Sequence, residues 1–173
     1  MNVLKAIGIL AMGLLLTLIV FPWMDALRDT VYHPVTPTPK QYVSTGDDTD
    51  MEVEGVNWSA QAFTVTSSYT LAVVKVKVWA TGTGTLTVAV YDADGSGYPT
   101  GAALATGTLA ASSHSGSSPG AFATATCTTP LAVTAGVYDV VLHYAGSGVV
   151  NWRAMGGDAG YCFSTDGGST WGD

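Results

Sequence analysis

A run of 19 uncharged residues, AIGILAMGLLLTLIVFPWM, lies between Lys5 and Asp25. A single helix needs about 20 mostly apolar residues to cross the hydrocarbon core of a bilayer. A secretory signal peptide is the competing interpretation, but its apolar segment is usually about 7–15 residues long and leads to a small-residue cleavage site. This run is longer and ends in FPWM. The sequence therefore predicts an uncleaved transmembrane anchor, whose partner is the lipid bilayer.

The residues that flank this run predict its orientation. Lys5 precedes the run, whereas Asp25, Arg28 and Asp29 follow it. Basic residues near a span stay on the side of the membrane where the chain was made, and acidic residues count for little. We therefore expect a single-pass membrane protein with its N-terminus inside and all that follows the span outside, on a virion membrane or a cell surface.

Two further parts follow the anchor helix, which we place at residues 1–33. Pro34, Pro37 and Pro39 make a stiff, extended spacer. Residues 41–55 are polar and acidic and show no apolar period, so the sequence predicts a stalk over residues 34–58. Residues 59–173 remain for one head domain, which is close to the commonest domain size.

The composition argues against one class of partner. Charged residues are 11% of the chain, the formal net charge is −7, and Lys and Arg together number 6. Binding of nucleic acid requires a basic stripe or patch that neutralises phosphates. We therefore do not expect nucleic acid among the partners.

The head shows apolar residues with a period of two, as in half-buried strands. In LAVVKVKVWA, Val74, Val76 and Val78 share one face of a strand, and Lys75 and Lys77 share the other. The same alternation predicts burial of Leu86, Val88, Val90, Val140 and Leu142. Turn clusters rich in Gly, Ser and Pro separate about eight such segments. The expected fold class is all-β, an antiparallel β-sandwich (jelly roll), with an up-and-down barrel as the alternative.

Three segments carry a resemblance to a known module. They are YDADGSGYPTGAALATGTL, PLAVTAGVYDVVLH and NWRAMGGDAGYCFSTDGGSTW, and together they span roughly residues 61–171. Their turns and core positions resemble a jelly-roll module that recurs in phage and viral structural proteins and beside carbohydrate-binding modules. The resemblance implies a fold and says little about function, because one fold serves many functions.

The C-terminal segment also resembles a turn motif. Ser164, Asp166, Gly168 and Trp171 fit the pattern S-x-D-x-G-x-T-W of the Asp-box, known from sialidase-like propellers. In those proteins the aspartate bonds the turn backbone and the tryptophan plugs the core, away from catalysis. The resemblance implies a structural hairpin here, since the chain is too short for a propeller.

One loop has the spacing of a partial calcium site. Asp92, Asp94 and Ser96 stand at relative positions one, three and five, and a glycine stands at six, as in the first half of a calcium loop. Ala103 stands where the bidentate acid of such a loop is expected. A solvated hairpin loop is one interpretation, and calcium bound with help from a distant carboxylate such as Asp139 or Asp158 is the other. We expect no other cofactor.

Two cysteines and several aromatic residues complete the candidate sites. Cys127 and Cys162 fall on predicted strands, where either a disulfide bridge or two separate buried thiols would fit. Trp79, Tyr98 and Trp152 are the candidate ligand or interface aromatics, whose alternative role is packing in the core or against neighbouring subunits.

The sequence favours a non-enzymatic structural protein. It contains no nucleophile elbow, phosphate loop or paired-glutamate motif. We expect a membrane-anchored head that packs against copies of itself or other structural proteins in a membrane-containing virus or phage, or in a surface assembly. A cell-surface carbohydrate-binding module that takes a glycan is the alternative. A pilin-like filament subunit is a further alternative, although Lys5 stands where bacterial type IV pilins carry an acid.

Overall fold

The computed structural model describes residues 49–114, 116–154 and 161–173. The predicted anchor, most of the predicted stalk and Asp158 lie outside these residues. Within the described part of the chain there is no helix long and apolar enough to cross a membrane.

The described residues form nine β-strands and one short 3-10 helix. The strands follow the period-two segments of the sequence, since alternating Val, Thr and Ala suit a pleated, half-buried surface. The strands are β1 (Thr49–Val53), β2 (Trp58–Val65), β3 (Tyr69–Ala80), β4 (Thr83–Ala93), β5 (Pro99–Ala110), β6 (Ala121–Val133), β7 (Gly136–Ser147), β8 (Val150–Ala154) and β9 (Tyr161–Ser164). The 3-10 helix, Ala111–Ser113, follows β5.

These strands make two antiparallel sheets. The four-stranded sheet has the order β1-β8-β3-β6, and the five-stranded sheet has the order β5-β4-β7-β2-β9. Each neighbouring pair is antiparallel. The expectation of an all-β, two-sheet architecture is confirmed.

The main core lies between the two sheets. It takes the residues that the alternation placed on the inner faces, and the largest fully buried side chains include Val78, Leu86, Val88, Val90 and Leu142. Val76 is also buried, whereas Val74 and Val140 are half-buried and pack against the core. Burial of these side chains supplies most of the driving force for folding.

The sandwich begins earlier than the sequence analysis placed it. Strand β1 lies in the predicted stalk and pairs with β8 from Thr49 opposite Ala154 to Val53 opposite Val150. Met51 and Val53 are buried, while Glu52 between them is exposed. The acidic residues of this segment are therefore the outward half of an alternating strand, and the sandwich includes Thr49–Val53, which the sequence analysis placed in the stalk.

Two edge strands, β5 of the five-stranded sheet and β6 of the four-stranded sheet, approach each other closely. A Cβ atom on Gly107 would lie 2.6 Å from the carbonyl oxygen of Thr126 and 3.2 Å from the Cβ of Ala125. Since no side chain fits in that space, the absence of one at Gly107 allows this contact between the sheets.

Candidate functional site

The outer face of the five-stranded sheet, which we call the covered face, holds a second group of buried residues. Ala89, Val141, Ala60 and Cys162 lie side by side across β4, β7, β2 and β9. All four are almost fully buried, and Cys162 is 1% exposed. Aromatic rings pack over them, namely Trp58, Tyr91, Tyr98 and Trp171. A face that local alternation would leave to solvent is therefore a small core of its own.

The C-terminal hairpin, residues 164–172, contributes to this cover and is held by side-chain to backbone bonds. The Oδ1 atom of Asp166 accepts hydrogen bonds from the backbone N–H groups of Ser169 (3.0 Å) and Thr170 (2.9 Å). The hydroxyl of Ser164 accepts one from the N–H of Gly168 at 2.9 Å and donates to Asp166 at 2.8 Å. These bonds lower the pKa of Asp166 to about 2, with those from Thr170 as the largest cause. Asp166 thus acts as the organiser of a structural turn.

Trp58 joins this hairpin to the sheet. Its ring stacks on His143, with the centroids 4.3 Å apart and the planes at 20°. A Cβ on Gly168 would lie 2.6 Å from Cε3 and Cζ3 of the same indole, so the turn backbone rests directly against the ring. The backbone N–H of Gly167 donates to the carbonyl of Val56 at 2.9 Å. The indole is therefore fixed by both the sheet and the hairpin.

A cleft of about 390 Å³ opens between these parts. Its aromatic residues are Trp58, Tyr91 and Trp171, and the remainder of its lining comes from residues 99–101 and 167–169. These two stretches are Pro-Thr-Gly and Gly-Gly-Ser, so the cleft combines rings, hydroxyl groups and backbone polar groups. The cleft is within the size range of small-molecule sites, roughly 300–1,000 Å³.

A buried carboxyl group lies in the same face. Asp139 is 0% exposed and stands opposite Tyr91 on β4 and Ala62 on β2. Neither of its oxygen atoms has a hydrogen-bond partner in the structure. Burial, and secondarily the charge of Asp94, raises the pKa of Asp139 to about 7. Since an unpaired buried carboxylate is costly, Asp139 is protonated over most of the acidic range.

The titratable groups of the covered face are poorly suited to catalysis. Burial, followed by the charge of Asp139, raises the pKa of the Cys162 thiol to about 12, which suppresses the reactive thiolate. Burial also lowers the pKa of His143, whose ring is occupied in the stack with Trp58. Asp139 has no surface through which a substrate could reach it.

The loop that carries the calcium candidates is organised by its own backbone. The Oδ1 atom of Asp94 accepts hydrogen bonds from the N–H groups of Ser96 (2.7 Å) and Tyr98 (3.0 Å), which lower the pKa of this carboxyl. Asp92 is exposed near the end of β4, opposite Thr100. Among the described residues, no three His, Cys, Asp or Glu side chains are grouped so as to hold a metal. Calcium binding through Asp92, Asp94 and Ser96 stays a prediction.

The three candidate aromatic residues lie in three different parts of the sandwich. Trp152 is 5% exposed and belongs to the core between the sheets, because the alternation of β8 turns it inward with Val150, and this burial supports its alternative role in packing. Trp79 lies on the outer face of the four-stranded sheet, where its Nε1 donates to Asp50 at 3.2 Å. Tyr98 packs over the covered face, beside the cleft.

The two cysteines are both buried free thiols. Cys127 belongs to the core between the sheets, and Cys162 belongs to the covered face. They are separated by the five-stranded sheet, which favours the interpretation of two separate thiols over a bridge.

The outer face of the four-stranded sheet, which we call the open face, carries basic residues that the covered face lacks among its described residues. Lys75, Lys77 and Arg153 are the only Lys and Arg residues in the described ranges, and all three lie on β3 and β8 of this sheet. Arg153 pairs with Asp50 at 3.2 Å. The covered face therefore has no basic lysine or arginine among its described residues, and Asp94, Asp139 and Asp166 lie on or beside it.

Comparison of the chain with protein-family models, with curated proteins and with solved structures finds no match. The site is therefore interpreted from its own geometry.

Sequence reasoning did not predict the place of two residues on this covered face, and it considered one of them, Asp139, only as a distant calcium ligand. Tyr91 and Asp139 lie on the outward side of alternating strands, which predicts contact with solvent. A pair of signals was present nonetheless: Val141 follows Asp139 on the same side of β7, and Ala60 and Ala89 are small residues on the adjacent strands. An outward side that is small and apolar indicates that another segment covers it.

Proposed function

We propose that this chain is a non-enzymatic structural protein. Its β-sandwich head is held by the N-terminal helix on a membrane and assembles with copies of itself or with other structural proteins of a membrane-containing virus or phage, or of a surface assembly. The strand order carries this proposal. The orders β1-β8-β3-β6 and β2-β7-β4-β5 are those of eight strands wound as two Greek keys, with β9 added beside β2. That winding is the jelly roll, an architecture of viral capsid and lectin domains.

The open face supports contacts between heads. On β6, the outward residues Phe122, Thr124 and Thr126 are exposed, and Phe122 is 55% exposed. Short uncharged side chains on a sheet lose little conformational entropy when they are covered. Heads fixed side by side on a membrane gain avidity, so weak contacts between them are sufficient.

The chemistry of the covered face supports a role without catalysis. The Cys162 thiol is held protonated, and the His143 ring is stacked on Trp58. Asp139, the one carboxyl with a strongly raised pKa among the described residues, is sealed from solvent. None of these groups is placed to act on a bound substrate.

The test uses the full chain reconstituted in lipid vesicles and imaged by electron microscopy. We expect clustered or ordered heads on the membrane, and we expect Phe122→Glu to disperse them. Val137→Glu is the matched control, because Val137 is also an exposed apolar residue, 45% exposed, but lies on the five-stranded sheet. Heads that stand apart at every protein density, or a chain that stays in the aqueous phase without detergent, would contradict the proposal. Helices gathered in a fibre would instead favour the pilin-like alternative.

A cell-surface carbohydrate-binding module is the second candidate function. The observation that favours it is the aromatic cleft of the covered face. Selective binding of a glycan by heads that stand apart on the membrane would replace the structural proposal with this one.

A further inference from the structure

The cleft of the covered face has the chemistry of a site for a neutral ring with many hydroxyl groups. Trp58, Tyr91 and Trp171 offer aromatic surface, and Thr100 offers a hydroxyl group. The Ser169 hydroxyl donates to the carbonyl of Asp166 at 3.1 Å, so it offers its oxygen as an acceptor. A sugar ring has the complementary surface, since its C–H groups pack against aromatic rings and its hydroxyl groups exchange hydrogen bonds. A purely apolar ligand would leave the polar part of this lining unpaired, at a cost in affinity.

The walls of the cleft are fixed before any ligand arrives. Asp94 bonds two backbone N–H groups of the loop that leads to Pro99. Asp166 and Ser164 fix the turn that supplies residues 167–169, and Trp58 is stacked on His143. A preformed site loses little conformational entropy when it binds a ligand, because its own groups are already ordered.

The charge around the cleft selects against anions. The described Lys and Arg residues all lie on the four-stranded sheet, whereas Asp94 and Asp166, whose pKa values are lowered by backbone hydrogen bonds, hold the two loops that line the cleft. A sialylated, sulfated or uronic-acid glycan would meet negative potential and no lysine or arginine from the described ranges at this site.

From these observations we propose that the cleft binds an uncharged saccharide, with Tyr91 and Trp171 contacting a ring and the 99–101 and 167–169 stretches contacting its hydroxyl groups. This site is separate from the contacts on the open face, so a chain that assembles through one sheet is able to bind a glycan through the other. It is also independent of the assembly proposal, because it requires only a single folded chain.

The test is a glycan array with the full chain dispersed in a detergent that has no sugar headgroup. We expect binding to a class of neutral glycans and none to their sialylated or sulfated counterparts. Tyr91→Ala is expected to weaken binding by about tenfold or more, which corresponds to the loss of one aromatic contact. Trp79→Ala, which removes an aromatic side chain from the open face, is expected to leave binding unchanged.

Thr100→Val is the second variant and guards against a misfolded Tyr91→Ala chain, because Thr100 is exposed and loses only its hydroxyl hydrogen bonds. We expect it to weaken binding while the melting temperature stays the same. No binding to any neutral glycan, equal binding by wild type and both cleft variants, or displacement of the glycan by tetramethylammonium would overturn the proposal. The last result would instead indicate a site for organic cations, which aromatic rings beside acidic groups also attract.

Discussion

The two outer faces of the sandwich are built from similar alternating strands but differ in how far their outward residues are buried. On the open face, the outward residues of β6 reach solvent, and Trp79 and Arg153 each donate a hydrogen bond to Asp50 at the surface. On the covered face, Ala60 of β2 and Val141 of β7 are buried under aromatic rings. The comparison teaches that a strand's outward residues belong to the core wherever another segment of the chain returns to cover them.

A charge placed on each face tests the difference in burial between the two faces most directly. Val141→Asp would bury an unpaired carboxylate beside Asp139, and we expect it to lower the free energy of unfolding by at least about 3 kcal/mol. Thr124→Asp on the open face should change it by no more than about 0.5 kcal/mol. Urea unfolding followed by tryptophan fluorescence measures both. Equal effects of the two substitutions would show that the C-terminal hairpin does not seal the covered face.

The pH dependence of stability tests the same burial by another route. The pKa of Asp139 is raised from 3.8 to about 7, so the folded state binds this proton more tightly than the unfolded state. Its stabilising contribution is complete below about pH 4 and is lost as the pH rises through about 7, with a slope of at most about 1.4 kcal/mol per pH unit. Asp166 has the opposite sign, because its lowered pKa gives a contribution that is lost only as the pH falls toward about 2.

The measurement is the urea midpoint of the wild type and of Asp139→Asn from pH 4.5 to 7.5. We expect the wild type to lose stability across this range relative to the variant. Parallel curves for the two proteins would mean that Asp139 is hydrated or paired in solution.

A smaller effect is expected where the hairpin meets the sheet. Gly168 has a φ of +82°, and a Cβ there would lie 2.6 Å from the Trp58 ring. Gly168→Ala should therefore cost about 2 kcal/mol through backbone strain and overpacking. Gly95→Ala is the control, because a Cβ at Gly95 would meet nothing within 4 Å. Thermal unfolding of both variants compares them, and equal melting temperatures would place the hairpin further from Trp58 than the structure does.

The smallest effect is expected on the open face. The Asp50 and Arg153 side chains are 30% and 16% exposed and lie 3.2 Å apart. Exposed ion pairs contribute about 0–1 kcal/mol and are screened by salt. Asp50→Asn should therefore lower stability by less than about 1 kcal/mol at low ionic strength and by less still at 1 M salt. A loss that is large and insensitive to salt would identify this bond as part of a buried network.

The sequence predicted the inner faces better than the outer ones, for a physical reason. Alternation is a local property, and Val76, Val78, Leu86 and Val88 take the side of the sheet that it assigns. Cover by the C-terminal hairpin depends on a contact between residues far apart in sequence, as when Gly168 meets Trp58. No local period carries that information.

Strand β1 was not predicted for a different reason. Its alternating pattern is local, but other features of the same segment favoured a stalk. Asp50, Glu52 and Glu54 alternate with Met51 and Val53, which is a strand pattern. The density of acids and the preceding prolines favoured a solvated stalk instead. Trp152 was likewise assigned by its residue type, although the alternation of β8 with Val150 turns it inward.

The close approach at Gly107 bears on how copies of the head behave when they are crowded together. Strands β5 and β6 are each one of the two edge strands of their sheet, and the missing side chain lets them lie against each other. An exposed edge strand invites pairing with the edge of another molecule, which is how β-proteins come to aggregate. A methyl group added at this position would force the two strands apart, since its nearest neighbour would be the backbone of Thr126. We therefore expect Gly107→Ala to make the heads associate more readily at high concentration, which light scattering would measure.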